Sequence, residues 1–270
     1  MGLATTTVRY GEHSGYFAMP ERAGRALPAI LVIQEAWGLD AHIEDVARRF
    51  AAAGYAVLAP DLFSKGGARP PALTRERLAE LLATINRASL PAMFDETKRA
   101  AELAKLPPDE GARVGETYSV LFGGETMRQD RHLPGLLAAT KFLRHDHEPT
   151  RGQKVGSIGY CMGGGLSALL ACHDPQLAAA VVYYGSAPPL DLVPKIQCPV
   201  FGFYGGADAR VNAGIPAFAE AMKAAGKRFD SRIYDGVPHA FFNDDRPSYD
   251  VGASRDAFAR TLEVFRAFLS

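Results

Sequence analysis

One stretch of the sequence decides the fold: Lys154-Val155-Gly156-Ser157-Ile158-Gly159-Tyr160-Cys161-Met162-Gly163-Gly164-Gly165. Its first five residues are typical of a short buried strand, and the mainly apolar residues 166–171 that follow predict the start of a helix. Cys161 therefore lies on a tight turn from strand to helix. Gly159 and Gly163, two residues before and after it, allow the chain to reverse so sharply that the central side chain stands clear.

The turn at Cys161 has the spacing of the G-x-S-x-G nucleophile elbow, with a thiol in place of the serine. The helix start places its free backbone N–H groups and its positive dipole end near the sulfur, which favours a thiolate and any developing anion. The pattern therefore predicts a nucleophilic cysteine. The competing interpretation is an inert core thiol, because free cysteine is often buried.

Strand-like and helix-like segments alternate on both sides of this turn, which is typical of an α/β fold with a mainly parallel sheet. The other predicted strands cover residues 5–10, 15–19, 29–33, 55–59, 177–184, 199–204 and 228–234. The predicted helices cover residues 43–53, 74–85, 95–106, 136–143, 188–196, 213–225 and 257–269. We expect the first two strands to form an antiparallel hairpin and the rest to run parallel.

Residues 64–135 differ from the rest of the chain because they carry helical patterns and no strand signal. A segment of this length is an insertion rather than a connection. Pro107-Pro108 ends the second of its helices, and residues 111–124 are interpreted as a loop with the aromatic residues Tyr118 and Phe122. We hypothesise one domain over all 270 residues, in which the insertion acts as a lid and contributes to specificity.

Composition restricts the classes of partner. The chain is 47% hydrophobic, and its 30 basic and 30 acidic residues give a formal net charge of zero without a block of lysine or arginine. Nothing therefore indicates a nucleic acid or a membrane surface, and small solutes are the expected partners. Three cysteines fit no disulfide framework, and no stretch approaches a spanning length, so we expect a cytosolic protein with reduced thiols. The sequence leaves the oligomeric state open.

Four of the loops that leave predicted parallel strands carry candidate residues: Glu35, Cys161, Asp208 and His239. Functional groups collect at the carboxyl ends of the strands in an open parallel sheet. The order nucleophile, acid, histidine is that of the α/β-hydrolase triad. Each residue also has a structural interpretation, since an aspartate often caps a helix, a histidine can simply end a strand, and a carboxylate after a strand is usually solvated.

The predicted roles follow from that order. His239 accepts the proton of the thiol and later returns it, while Asp208 holds the imidazole in the required tautomer. The oxyanion hole needs the N–H of the residue after the nucleophile, Met162, and a second donor from the loop after an earlier strand, for which Ala36 is the candidate.

Four segments together resemble the dienelactone hydrolase (carboxymethylenebutenolidase) family. They are Ile33-Gln34-Glu35-Ala36-Trp37-Gly38, the Cys161 turn, Gly205-Gly206-Ala207-Asp208 and Gly236-Val237-Pro238-His239-Ala240-Phe241. The resemblance covers most of the chain outside the insertion. It implies an α/β-hydrolase fold, with a mainly parallel central sheet, helices on both faces and a helical insertion.

The resemblance also implies roles for individual residues. Cys161, Asp208 and His239 would form the triad, and Glu35 would be the acidic residue that contacts the resting thiol and moves when substrate binds. The implied reaction opens a lactone or cleaves a small ester through a thioester, without a metal or an organic cofactor. Substrate contacts are predicted for Trp37, Tyr118, Phe122 and Phe241.

The sequence departs from the family at the residues that bind a substrate carboxylate. Four positions after the histidine, where lactone-cleaving members have arginine, this chain has Asn243. A second arginine of the family falls in the insertion, where Arg69, Arg75 and Arg87 are equivalent candidates. The identity of the acyl group is therefore open.

Two other classes of function stay open at this point. A glutamine amidotransferase also carries a cysteine on an elbow, but a glutamate usually stands two residues after its histidine, where this chain has Phe241. A non-catalytic ligand binder on the same fold is the third interpretation, and the complete set of triad residues argues against it.

Overall fold

A computed structural model describes residues 2–88 and 90–270 of the chain. Its strands are β1 (Leu3–Tyr10), β2 (His13–Pro20), β3 (Ala29–Ile33), β4 (Ala56–Pro60), β5 (Val155–Tyr160), β6 (Ala180–Tyr183), β7 (Val200–Gly205) and β8 (Phe229–Tyr234). They form one sheet in the order β1-β2-β4-β3-β5-β6-β7-β8. β1 pairs antiparallel with β2 and β2 antiparallel with β4, while β3 to β8 run parallel. The predicted hairpin and the mainly parallel sheet are confirmed.

Helices connect the strands. The α-helices of the described chain are α1 (Ala41–Ala52), α2 (Arg75–Ala88), α3 (Leu90–Phe94), α4 (Glu96–Leu103), α5 (Pro108–Phe122), α6 (Gln129–Lys141), α7 (Met162–His173), α8 (Ala209–Asn212), α9 (Ile215–Ala224) and α10 (Val251–Leu269), and the short helix predicted over residues 188–196 is a 3-10 helix, Leu190–Lys195. None of these helices is long and apolar enough to cross a membrane.

β3 shows how the sheet is covered on both faces. Ala29, Leu31 and Ile33 pack in a core with residues of α6, α7 and α9. Ile30 and Val32 point to the other face, in a core with residues of α1 and α10. Because all five side chains are fully buried, the strand is a continuous apolar run rather than an alternating one.

The loop predicted over residues 111–124 is wrong, since most of it belongs to α5. Pro108 stands in the first turn of α5, where a missing N–H removes no helical bond, and Val114, Tyr118 and Leu121 bury one face. Gly111 indicated a loop in the sequence, but the structure requires this glycine for close packing and not for a turn. A Cβ on this residue would lie 2.8 Å from the carbonyl oxygen of Leu103.

Two other helical predictions need correction. The single helix expected over residues 213–225 is preceded by a separate turn, α8, which Asp208 caps by accepting from the backbone N–H of Val211 at 3.3 Å. The helix expected from residue 136 begins earlier, at Gln129, and contains Pro134. Proline in a helix interior removes one backbone hydrogen bond, so the sequence pattern pointed to a later start.

The helices of the insertion have a small core of their own. Leu78, Leu81 and Ile85 of α2 pack with residues of α5, and Trp37 and Phe63 from the loops after β3 and β4 join the same cluster. The insertion is therefore attached to the sheet through the segment that carries Glu35 and Ala36. The assignment of the whole chain to one domain, with the insertion as a lid, stays a prediction.

Candidate active site

Cys161 has an unusual backbone conformation for a residue with a side chain. Its φ is +54° and its ψ is −114°, between the end of β5 and the first residue of α7. Its N–H donates to the carbonyl oxygen of Tyr183 at 3.0 Å. A Cβ on Gly159 would lie 1.8 Å from the carbonyl oxygen of Gly163, and one on Gly163 would lie 2.3 Å from that of Ile33. Both glycines are thus required for the sharp turn that the sequence predicted.

Positive φ values outside glycine are concentrated around this turn. In residues 2–88 and 90–270 they occur at Cys161, Tyr184 (+40°) and Ala240 (+58°). Cys161 follows β5, Tyr184 follows β6, and Ala240 lies in the loop after β8. All three lie at the carboxyl edge of the sheet. Such conformations are disfavoured for residues with a Cβ and persist where the surrounding structure holds them, often at functional sites.

The three thiols differ in accessibility. Cys161 is partly exposed, whereas Cys172 and Cys198 are buried. Burial raises the pKa of Cys172 to about 11 and that of Cys198 to about 12, so both remain protonated at neutral pH. Cys161 is the one of the three whose sulfur a small molecule can reach.

His239 and Asp208 meet at the carboxyl ends of β8 and β7. The Nδ1–H of His239 donates to Oδ2 of Asp208 in a close ion pair. Burial alone would raise the pKa of Asp208, but the hydrogen bond and the charge of His239 outweigh it and hold that pKa below its ordinary value. The carboxylate thus stays charged and fixes the tautomer of the imidazole.

The imidazole of His239 is strongly basic in this setting. Burial by itself favours the neutral ring, but hydrogen bonds to Asp208 and Cys161, together with their negative charges, raise its pKa to about 10. At neutral pH the ring is therefore an imidazolium that donates its Nδ1–H to the carboxylate, and Cys161 is near enough to contribute to the raised pKa. The structure brings these three predicted residues together.

Glu35 is buried and held by an amide. Nδ2 of Asn243 donates to Oε2 of Glu35 at 2.8 Å, and both side chains are at most 2% exposed. The backbone N–H of Asp245 donates to Oδ1 of Asn243 at 3.1 Å, which fixes the orientation of the amide. Oε1 of Glu35 has no hydrogen-bond partner in the described part of the chain. Sequence reasoning noted Asn243 only as a missing arginine, because nothing in the local pattern shows a bond across 208 positions.

The two predicted oxyanion donors lie on neighbouring loops. β3 pairs with β5 so that Ile33 is opposite Gly159, and the loops that carry Ala36 and Met162 leave the sheet side by side. Within residues 2–88 and 90–270 neither of their N–H groups is hydrogen-bonded. Both donors are thus available to an oxygen beside Cys161.

The predicted substrate contacts fall into two groups. Trp37 stacks edge to face with Phe122 at 6.2 Å between ring centroids, and Phe122 lies 5.2 Å from the ring of Tyr118. These rings lie beside the loop of Ala36. Phe241, in contrast, is fully buried against Tyr184 and other tyrosines of the core, and its ring offers no surface to a bound molecule in this conformation.

The three arginines of the insertion have protein partners. Arg69 donates to Asp61 at 2.7 Å and to the carbonyl oxygen of Leu39 at 2.9 Å. Arg75 pairs with the carboxylate of Glu44, and Arg87 donates to the hydroxyl of Thr84 at 3.4 Å. None of these contacts singles out one arginine for a substrate.

Sequence reasoning missed an arginine that the fold places beside the site. The guanidinium carbon of Arg246 lies 4.8 Å from the centre of the Trp37 ring, and its Nη1 donates to Oδ1 of Asn86 at 2.9 Å. Its Nε is buried without a partner in the described part of the chain. No spacing rule marks this residue, which stands seven positions after His239 in a polar loop.

The sheet order and the sharp turn at Cys161 between β5 and α7 define an α/β-hydrolase fold. Comparison with known proteins narrows this class. The model of the dienelactone hydrolase family matches residues 13–269. The chain therefore belongs to the dienelactone hydrolase family, whose members hydrolyse esters and lactones.

Relatives agree with this assignment. A Saccharolobus solfataricus protein provisionally named carboxymethylenebutenolidase is 30% identical over 239 residues, which cover 88% of each chain. A Methylorubrum extorquens protein with the same provisional name is 30% identical over 94% of this chain and 76% of its own. A Klebsiella pneumoniae crystal structure provisionally described as a dienelactone hydrolase has a TM-score of 0.71 and 25% identity, and covers 98% of this chain and 99% of its own. The resemblance inferred from the four sequence segments is confirmed.

Proposed function

We propose that this protein hydrolyses a lactone or a small ester with Cys161 as nucleophile, through a thioester acyl-enzyme. The observation that supports this most is the position of the partly exposed sulfur on the strained turn, beside the His239 and Asp208 pair. The imidazolium stabilises a neighbouring thiolate, which is the nucleophilic form of cysteine.

In the first half of the proposed reaction, the thiolate attacks the carbonyl carbon and the carbonyl electron pair moves to oxygen. The N–H groups of Met162 and Ala36 donate to this oxyanion. When the tetrahedral intermediate collapses, the bond to the alkoxy oxygen breaks and His239 gives that oxygen its proton. A lactone is thereby opened while its alcohol end stays attached to the acyl group.

In the second half, water attacks the thioester while the now neutral His239 accepts one of its protons. The C–S bond breaks, the acid leaves, and the thiolate and imidazolium are restored. Asp208 keeps the imidazole oriented through both halves, as the aspartate of a triad does. We propose that the carboxylate of Glu35, on the loop of Ala36, provides a fixed negative charge on the other side of the Cys161 turn.

The neighbourhood of Trp37 supports a proposal for the substrate. The rings of Trp37, Tyr118 and Phe122 form an apolar cluster in which Trp37 and Tyr118 are buried and Phe122 is partly exposed, and Nε of Arg246 is buried beside Trp37 without a partner in the described part of the chain. A guanidinium with free donors suits a carboxylate. We therefore propose a small ester or lactone that carries a carboxylate, with Arg246 in the role that Asn243 cannot fill.

The cytosolic location stays a prediction from the sequence.

The test is a hydrolysis panel of lactones and aryl esters, with and without a carboxylate, on the wild type and on Cys161→Ala. We expect turnover by the wild type alone, and intact-protein mass spectrometry of quenched reactions should show an acyl adduct. Cys172→Ala, which removes a buried thiol, is the matched control and should keep both. Equal turnover by wild type and Cys161→Ala, or an adduct that survives in Cys161→Ala, contradicts the proposal.

The carboxylate preference needs a separate variant. Arg246→Gln keeps a polar side chain beside Trp37 but removes the charge. We expect KM for carboxylate-bearing substrates to rise at least tenfold, with little change for neutral esters. Arg151→Gln, at an exposed position outside the insertion, is the control and should leave both classes of substrate unaffected. An equal effect of Arg246→Gln on both classes of substrate would show that Arg246 has a structural role and does not bind the carboxylate.

A further inference from the structure

The last strand of the sheet, β8, has a free edge. Among the residues that the structure describes it pairs with β7 on one side only, and its central residues, from Asp230 to Ile233, are exposed. Val200 donates to the carbonyl oxygen of Arg228 and Gly206 donates to that of Tyr234, so the backbone groups of the even-numbered residues point toward β7. The N–H and C=O groups of Phe229, Ser231 and Ile233 therefore point outward, away from the sheet.

These outward groups are symmetric about Ser231. If a second copy of β8 ran antiparallel along this edge with the two-fold axis at Ser231, the two Ser231 residues would exchange both backbone bonds. Phe229 of each copy would do the same with Ile233 of the other. These are the hydrogen-bonded pairs of an antiparallel ladder, and every outward group would be satisfied.

The side chains fit the same register. Asp230 of one copy would stand opposite Arg232 of the other, twice by symmetry, in the non-hydrogen-bonded positions where cross-strand side chains are closest. Arg228 would stand opposite Tyr234, an arrangement that suits a cation and an aromatic face. The isologous contact places the same patch of both copies face to face, as a two-fold dimer requires.

The other edge of the sheet lacks this complementarity. β1 carries Thr5-Thr6-Thr7 at its centre, and its one charged residue is Arg9. No two-fold register on β1 can bring opposite charges together. On β8 the exposed Ile233, at 46%, would instead be covered by Phe229 of the second copy.

A cleft beside β8 brings further charged side chains to this edge. It has a volume of about 480 Å³ and lies between β8 and α10. Arg228, Asp230 and Arg232 line it from the strand, and Arg260 and Glu263 from the helix. In the isolated chain Asp230 pairs with Arg228 and Arg232 with Asp256 on the surface, contacts that contribute little and can exchange for pairs across the two-fold axis.

From the free edge, the register and the alternating charges, we propose that two copies of this chain dimerise by antiparallel pairing of β8, and extend the sheet across both.

The test is sedimentation velocity over a range of protein concentrations with a charge reversal and its rescue. Arg232→Asp faces Asp230 with a second aspartate, and we expect the dissociation constant of the dimer to rise at least tenfold. The double variant Asp230→Arg with Arg232→Asp restores opposite charges in the same register and should restore the dimer. Arg9→Asp, the same change on the other edge strand, should leave it unchanged.

Two further measurements locate the contact. Ser231→Pro removes an outward N–H without removing a bond to β7 and should also give a monomer. Amide hydrogen exchange at Phe229, Ser231 and Ile233 should slow as the wild-type concentration rises. Hydrolytic activity of the variants, which lie outside the site, controls for folding. A wild type that stays monomeric, a double variant that fails to recover while active, or a dimer broken by Arg9→Asp would overturn the proposal.

Discussion

Two buried carboxylates follow strands on either side of β5, and they differ in the kind of partner that holds them. Asp208, after β7, accepts a hydrogen bond from the imidazolium of His239, which titrates. Glu35, after β3, accepts one from the amide of Asn243, which does not titrate. The first pair can keep and transfer a proton, whereas the second can only hold a geometry.

From this difference we expect the site to have two sides with separate functions. On the side of β7 and β8, the imidazolium of His239 pairs with the carboxylate of Asp208. Substitutions there should act mainly on the rate of hydrolysis and on its pH dependence. On the side of β3, a neutral donor satisfies a carboxylate inside the protein, so substitutions should act mainly on stability. The expected effects below test this division.

Asp208→Asn should have the largest effect. The amide can present its N–H to Nδ1 of His239 and favour the wrong tautomer, and we expect kcat/KM to fall by roughly 10² to 10⁴-fold. The measurement is steady-state hydrolysis of the best ester in the panel, with circular dichroism to check folding. Asp191→Asn, at an exposed position, is the control. Activity of Asp208→Asn close to the wild type would remove the proposed role of this side.

The pH dependence of stability should reveal the same pair. Since the folded-state pKa of His239 is raised from 6.5 to about 10, its protonation stabilises the fold fully below pH 6.5, and this stabilisation disappears as pH rises through 10. The pKa of Asp208 is lowered from 3.8, so its charged form stabilises the fold above pH 3.8. This stabilisation disappears as the pH falls through the lowered pKa. Urea unfolding of wild type and His239→Gln should show a difference in unfolding free energy that shrinks from pH 6.5 toward pH 10. A constant difference over that range would contradict the ion pair.

Asn243→Leu should test the neutral side. It leaves the buried oxygen of Glu35 without its donor, and we expect the free energy of unfolding to fall by about 2 kcal/mol. The double variant Glu35→Leu with Asn243→Leu removes both partners and should recover most of this loss, because the buried carboxylate without a donor is gone and only the N–H of Asp245 loses an acceptor. Denaturant unfolding of the three proteins measures it. Additive losses in the double variant would show that the two side chains act independently.

Phe122→Ala should have the smallest effect and should act on the β3 side alone. Phe122 contacts Trp37, so its removal loosens the loop of Ala36 and costs about 1 kcal/mol of stability from the aromatic pair. We expect KM to rise severalfold with kcat nearly unchanged. Leu190→Ala, at an exposed apolar position, is the control. A change in the pH profile of Phe122→Ala would mean that the insertion also acts on His239.

The parts of the site that were predictable from the sequence are those whose signals are local. The turn at Cys161 needs glycines at fixed offsets, and Asp208 and His239 each follow a strand of clear apolar pattern. Helix α5 was missed because Gly111 and Gly115 are typical of loops, although Gly111 is there to let α5 approach Leu103. Local propensity cannot show that tertiary contact.

The sequence by itself determined the alternation of strands and helices and the sharp turn at Cys161, and it predicted the order of the proposed triad, because backbone sterics and apolar periodicity act over a few positions. Only the tertiary structure decided that Asn243 holds Glu35, that Arg246 lies over Trp37, and that β8 presents a symmetric edge. These pairings join residues far apart in the chain, and their partners are fixed by how the elements pack. The Cys161 turn belongs to both levels, since its glycines make it possible and packing brings His239, from the loop after β8, close to it.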